Sequence, residues 1–344
     1  MQIGIIGLPQ AGKTTIFYAL TRSRVKSIVG ISHIAVVKVP DARLDALAKI
    51  FNPKKVVPAN VTYVDVGGMI KGASAKGGLG EQFLNQMHKV DAALHIVRAF
   101  DLPQGIPTPK EDIEAVNFEL VLSDLGMIEK KIEHIEHDLK RGKRDEEKLQ
   151  ALLKRGKESL EREKPLRSLE FTPEEKKSLS SFQFLSAKPQ LLVLNVSEEK
   201  QNLNGDKFFA NERGLVLCGK LEMELAQLTE EEEKEFLVDL GMAEPALNRV
   251  IRASYELLGL ITFFTYVHEE LRAWTLKAGS SVLQAAGTIH TDMERGFIKA
   301  EVVNFQHLAE CGSLAKAKEK GHWRLEGREC VVNDGDVITV RFNV

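Results

Sequence analysis

Short apolar runs alternate with amphipathic stretches over the first hundred residues of this chain. Met1–Ile6, Asn60–Asp65 and Ala92–Arg98 are expected strands, and the last is apolar enough to be central in a parallel sheet. Gln190–Leu194 and Gly214–Leu217 resume that style much later. Both lead into short polar motifs, as strands of a doubly wound sheet do at their carboxyl ends. Between the two halves the period changes. Ile113, Val116, Leu120, Leu125, Ile128, Ile132, Ile135 and Leu139 form a helical stripe with steps of three, four and five residues. The stretch 141–145 (Arg-Gly-Lys-Arg-Asp) breaks it, and Leu149, Leu153 and Leu160 carry a second amphipathic helix. The pattern predicts an antiparallel helical hairpin. Thr172-Pro173-Glu174-Glu175 is a further helix start, with threonine as N-cap. Towards the C-terminus, 243–259 reads as a helix ending at glycine and Leu260–Val267 as a strand. Arg272–Leu276, Gly296–Val303, Arg328–Val332 and Val337–Phe342 are shorter strand candidates, with Asn333–Asp336 as a turn between the last two.

The predicted architecture is therefore α/β. A doubly wound nucleotide-binding domain spans 1–112 and 186–260, an inserted helical hairpin spans 113–185, and a small mixed-sheet module spans 261–344.

Gly7-Leu8-Pro9-Gln10-Ala11-Gly12-Lys13-Thr14 fits the phosphate-loop pattern G-x-x-x-x-G-K-[ST], and it lies between the first strand and a helix opening at Thr15. In that setting the backbone N–H groups from Gly7 through Thr15, Gln10, Ala11 and Gly12 among them, cradle phosphate at a helix N-terminus. Lys13 reaches the outer phosphates, and the Thr14 hydroxyl is a Mg²⁺ ligand. Asp65-Val66-Gly67-Gly68 follows its strand directly and fits D-x-x-G. Asp65 would hold the Mg²⁺ shell and the Gly68 N–H would sense the terminal phosphate. Met69 stands where many GTPases place a glutamine, and a thioether cannot orient an attacking water. Asn195-Val196-Ser197-Glu198 replaces the N-K-x-D that reads guanine, which weakens the case for guanine. Cys218-Gly219-Lys220 occupies the place of the loop that closes over the base.

Composition adds exclusions. Over 344 residues the charged fraction is 28% and the net charge −2, so any nucleic-acid surface must be a local patch. The basic stretch from Lys140 to Arg144 is one such patch, equally readable as a solvated turn. Met1 leads straight into the first strand, no apolar run approaches membrane-spanning length, and Cys218, Cys311 and Cys330 have no metal-ligand spacing. A cytoplasmic location with reduced thiols is the expectation.

These segments together resemble the Obg-like ATPase (YchF) family of translation-factor-class P-loop proteins. Gly7–Thr14 is similar to the family's G-L-P-N-V-G-K-S, Asp65–Met69 to its D-x-x-G followed by a hydrophobic residue, and Asn195–Glu198 to its N-x-x-E. The stretches 78–84, 244–252, 272–275 and 285–292 also look like family segments, and the likeness covers nearly the whole chain. The resemblance implies a P-loop G domain with a helical insert and a C-terminal β-grasp-like TGS domain. It implies ATP preferred over GTP, Mg²⁺, slow hydrolysis and association with the ribosome or ribosomal RNA. A monomer with no membrane attachment and no stable DNA binding is expected. Two departures stand out. No threonine aligns with the family's first-switch Mg²⁺ ligand, although Ser27 and Ser32 lie nearby, and the shortened loop Asp101–Pro109 lacks the family's histidine. No catalytic base is assigned: His95 lies in a strand and His88 on the helix before it. A GTPase of the same fold and a nucleotide-sensing scaffold with negligible turnover are the alternatives.

Overall fold

The structure is a computed structural model, and it describes residues 1–22, 33–67, 79–103, 105–140, 146–201, 203–209 and 212–343. Its strands are β1 (Gln2–Ile6), β2 (Ile34–Lys38), β3 (Lys55–Val57), β4 (Asn60–Asp65), β5 (Ala92–Arg98), β6 (Gln190–Asn195), β7 (Arg213–Leu217), β8 (Leu260–Val267), β9 (Glu270–Lys277), β10 (Phe297–Asn304), β11 (Arg324–Glu326) and β12 (Asp336–Phe342). The helices used below are α1 (Lys13–Thr21), α2 (Ala42–Phe51), α3 (Leu79–Lys89), α4 (Pro109–Lys140) and α5 (Glu147–Leu160). No helix among the described residues is long and apolar enough to cross a membrane.

The first sheet has the order β2-β4-β1-β5-β6-β7. Strand β1 lies parallel to both β4 and β5, with Ile5 opposite Asp65 on one side and Leu94 on the other. Strands β5, β6 and β7 continue in parallel. Every residue of β6 is buried, as is all of β5 except Arg98. That explains why these two strands read as predominantly apolar runs, with His95 buried within β5, since a parallel sheet is covered on both faces. The four carboxyl ends used by the predicted motifs, those of β1, β4, β6 and β7, therefore point to one edge of the sheet.

The predicted helical stripe is one continuous helix, α4, with two packing partners along its length. Val116 and Leu120 join Ile6, Val64, Phe83 and Met87 over the sheet. Further along, Ile128, Ile132 and Ile135 pack on Leu153 and Leu160 of α5. Lys131–Glu146 and Lys157–Glu129 ion pairs, each 2.9 Å, flank that seam. The basic turn residues 141–144 lie outside the described residues.

Asp124 marks where α4 leaves the sheet. Its carboxylate is fully buried and accepts hydrogen bonds from the backbone N–H of Leu185 (2.9 Å) and Ser186 (2.7 Å). Burial outweighs those bonds and lifts its pKa to about 6. The native value lies above the ordinary 3.8, so the native state holds this proton more tightly than the unfolded chain. The resulting stabilisation is full below pH ~4 and is lost as pH rises through ~6, on the order of 3 kcal/mol from this group. Asp124→Asn presents an amide N–H₂ to one of the two backbone donors, and should cost about 1–3 kcal/mol. Urea unfolding of both proteins should show the larger deficit at pH 5 and the smaller at pH 7.5. A deficit independent of pH would mean that Asp124 does not titrate in this range.

The chain separates into two compact units. One comprises Met1–Ala35 and Thr62–Val250, the other Val36–Val61 and Ile251–Val344. The second unit holds a mixed sheet of order β11-β10-β12-β8-β9-β3. Its core is built from Phe263, Leu276, Ala285, Ala300 and Ile338. The turn at Asn333–Asp336 is present, with the Asn333 N–H on the Asp336 carboxylate at 2.9 Å. Arg328–Val332 is not a strand: only an isolated bridge joins Val331 to Ser281, and the edge strand is β11 instead. The N-terminal segment 36–61 supplies α2 and the edge strand β3, whose Lys55–Val57 pairs in parallel with Glu270–Arg272 of β9. Arg43 on α2 holds Asp334 at 2.6 Å and its own N-cap Asp41 at 2.8 Å. Sequence reading assigned 36–61 wholly to the nucleotide-binding domain. The short run Lys55–Val57 carries no sign of a partner some two hundred residues away, so the segment's packing in the second unit could not be read from it.

Candidate nucleotide-binding site

The loop between β1 and α1 is shaped by two glycines. Gly7 sits at φ +145°, and a Cβ there would lie 2.2 Å from the Ile96 carbonyl oxygen of β5. Gly12, the N-cap of α1, sits at φ +90°, and a Cβ would lie 2.2 Å from Asn195 Nδ2. Neither position admits a side chain without displacing backbone or clamp. No side chain caps α1, so its first-turn N–H groups at Lys13, Thr14 and Thr15 face the loop mouth. Gln10 is exposed with φ 64°, and Ala11 is buried.

Lys13 Nζ donates to the carbonyls of Gly7 and Leu8, both at 2.9 Å, which holds its charge over the loop. Burial pushes its pKa down, and the charge of Asp65 opposes that shift. Burial likewise pushes the Asp65 carboxyl up, against the pull of Lys13 and His33. The two groups thus form one electrostatic unit at the ends of β1 and β4. No described residue donates a hydrogen bond to the Asp65 carboxylate, whose backbone N–H is held by the His33 carbonyl at 2.9 Å. Thr14 is exposed. A hydroxyl and a half-buried carboxylate are hard oxygen donors of the kind Mg²⁺ takes alongside phosphate.

Asn195 connects the site's two halves. Its Nδ2 donates to the Ala11 carbonyl at 3.0 Å and its Oδ1 accepts from the Gly219 N–H at 2.8 Å. It is 4% exposed. This asparagine therefore fixes the phosphate loop against the 218–219 turn, a role the sequence motif did not reveal. Val196 and Cys218 do not present side chains to a base. Both are buried in the cluster that contains Leu194, Leu221 and Leu225, so what they contribute at this edge is backbone. Glu198 lies at the surface in an ion pair with Lys220, 2.8 Å, a partner the sequence reading did not single out.

The structure thus brings Gly7, Gln10, Ala11, Gly12, Lys13, Thr14, Thr15, Asp65, Asn195 and Gly219 to one sheet edge. Gly68, Met69, Ser27 and Ser32 lie outside the described residues. His95 is fully buried, with its pKa pushed down to about 3 by burial and the charges of Arg167 and Lys13. It is a neutral core imidazole. His88 is drawn below its usual pKa by burial.

Comparison with known proteins gives a consistent picture. A family described as 50S ribosome-binding GTPase matches residues 2–135, and the YchF GTPase C-terminal family, described as a protein of unknown function, matches 260–343. A curated relative from Bacillus subtilis (strain 168), named ribosome-binding ATPase YchF, is 43% identical over 361 residues, covering 99% of each chain. The Escherichia coli O157:H7 protein of the same name is 39% identical, again over 99% of each. The solved structure of the Schizosaccharomyces pombe YchF GTPase superposes with a TM-score of 0.88 at 30% identity, covering 99% of this chain and 97% of that one.

Proposed function

From the premise that this chain belongs to the YchF family, we propose that it is a slow ATP-hydrolysing switch that works on the ribosome. ATP binds with Mg²⁺ at the Gly7–Thr15 loop. The observation that carries the reading is the charge of Lys13 held over a two-glycine phosphate cradle, with Asp65 and Asn195 fixed on either side. Thr14 and Asp65 would hold the metal, and a bound Mg²⁺ would neutralise phosphate charge. Gly68 and the backbone of residues 196 and 218–219 would face the terminal phosphate and the base. The relatives' name, ribosome-binding ATPase, supports ribosome association, and a cytoplasmic location belongs to the same reading. The nucleotide-binding domain, helical hairpin and TGS module remain the functional parts of this scheme.

Adenine selectivity follows from Asn195-Val-Ser-Glu198, which lacks the lysine and the shorter acid of a guanine-reading motif. Calorimetry should find ATP bound more tightly than GTP by about 1–3 kcal/mol, because a single hydrogen-bonded edge decides between the bases. GTP bound more tightly would favour a GTPase of the same fold. Single-turnover hydrolysis by the isolated protein should be slow and should rise when ribosomes are added. With Met69 in place of glutamine, the water must be positioned by order supplied from outside the chain.

A further inference from the structure

A groove of about 1570 Å³ opens in the first unit, at the end of its sheet opposite the phosphate loop. One wall is formed by the residues entering β5 and β6, the other by the segment that follows α5. Its floor is apolar. Leu169 and Leu179 rest on the cluster shared by α4 and α5 and are only partly covered by it. Beside them the lining includes the partly exposed Phe171 and the exposed Pro189. Apolar side chains open to water within a polar margin have the make-up of an interface core and its rim.

The margin is basic. Lys89, Lys164 and Lys176 line the groove, are exposed, and have no ion-pair partner among the described residues. Two further cations of the lining are held by the protein itself. Lys188 donates to the carbonyls of His88 and Val90, and Arg167 donates to Asn117 and Glu212, both at 2.7 Å. The two carboxylates of the lining are engaged as well: Glu212 by Arg167, and Asp91 by the Gln2 N–H at 2.6 Å. The charge left uncompensated is therefore positive.

Floor and margin together choose the occupant. The lysines ask for negative charge and the floor asks for large apolar side chains. A phosphate-bearing small molecule meets the first demand alone, and the space exceeds that of ordinary small-molecule pockets. RNA also meets the first alone. Phe171 already carries the Arg155 guanidinium 5.0 Å over its ring, which leaves bases little on which to stack. A peptide with acidic and apolar side chains meets both.

We propose that this groove docks an acidic segment of a partner protein. The segment's carboxylates lie among Lys89, Lys164 and Lys176, and its apolar side chains lie on Leu169, Phe171 and Leu179. Apolar burial supplies the affinity and the lysines supply selection and approach. The proposal does not rest on the reading of the phosphate loop.

The test selects short random peptides from a display library against the full-length protein, then measures synthetic copies by fluorescence anisotropy. The recovered sequences should combine Asp or Glu with Leu, Ile or Phe. Exchanging their acids for amides, or their large apolar side chains for alanine, should each weaken binding at least tenfold, and neither change touches the protein. Lys89→Gln/Lys164→Gln/Lys176→Gln should also weaken binding at least tenfold. These three side chains are exposed, so the melting temperature should match that of the parent. Selection of no acidic sequences, or binding indifferent to the lysine variant, would overturn the proposal. Polyglutamate bound as tightly as the selected peptides would reduce the groove to a charged surface and overturn it too. Displacement of the peptides by an equal concentration of an RNA oligonucleotide would do the same in favour of RNA.

Discussion

Replacing Lys13 with alanine is expected to weaken ATP binding at the phosphate loop by about 100-fold while leaving the fold intact. The lysine holds its ammonium at 2.9 Å from two loop carbonyls, where it meets whatever the cradle holds. A hydrogen bond to a charged group contributes about 1.5–3 kcal/mol, and the upper end applies where both partners carry charge and are partly shielded from water. The same substitution removes a partly buried cation, so it should not lower stability. The loop's shape comes from Gly7, Gly12 and Asn195, all of which remain. Calorimetric titration with ATP and a thermal melt of the same sample would separate the two quantities. Undiminished ATP affinity in a folded variant would refute the assignment of the loop.

Asn195→Ala should damage both binding and stability, unlike the lysine change. The side chain satisfies the Ala11 carbonyl and the Gly219 N–H from a position with almost no access to water. Each group left unpaired in a buried setting costs about 1–3 kcal/mol, so a loss of about 2–5 kcal/mol is expected. The phosphate loop would also lose its tie to the 218–219 turn, so ATP affinity should fall beyond what unfolding explains. Asn195→Asp separates the roles, because a carboxylate can still accept from Gly219 but repels the Ala11 carbonyl. Denaturant unfolding in parallel with nucleotide titration would check this. A destabilised Asn195→Ala protein with normal ATP affinity would make the clamp purely structural.

Much of the fold was legible because its signals are local. The β5 and β6 runs are predominantly apolar since both faces of the sheet are covered, and the glycines and Lys13 of the phosphate loop follow directly on a strand. The stripe in α4 has a helical period, and its residues from Ile113 to Ile135 are buried, apart from the partly buried Leu125. What stayed hidden is non-local. Asn195 reads in sequence as a base-recognition residue, and only the register of β6 beside β5 carries its amide to Ala11. Val196 looks available to a ligand because it stands in a motif, yet alternation along the strand's continuation turns it into the core. Glu198 could not be matched with Lys220 from sequence, since their pairing depends on two successive strand ends lying side by side. Cys330, Val331 and Val332 favour strand, yet Arg328–Val332 forms no ladder because its neighbour turns into the helix Val282–Ile289 directly after the single bridge at Ser281.

Edge strand β3 has a consequence for how the molecule is made. Residues 36–61 emerge early in synthesis, but their partner β9 begins at Glu270. Roughly 200 residues must be added before that partner exists, which at about 5–20 residues per second means a wait of about 10–40 s. During that interval α2 and β3 have nowhere to bury their apolar side chains, while the parallel strands around β1 already have β4 and β5 to pair with. Although the first residues of the two units, Met1 and Val36, lie close together in the chain, the second unit matures long after the first. The C-terminal one closes only when the last strand, β12, reaches β8 and β10. It follows that a fragment starting at residue 261 is not a transplantable module, because part of its scaffold was encoded before the chain had finished its first sheet.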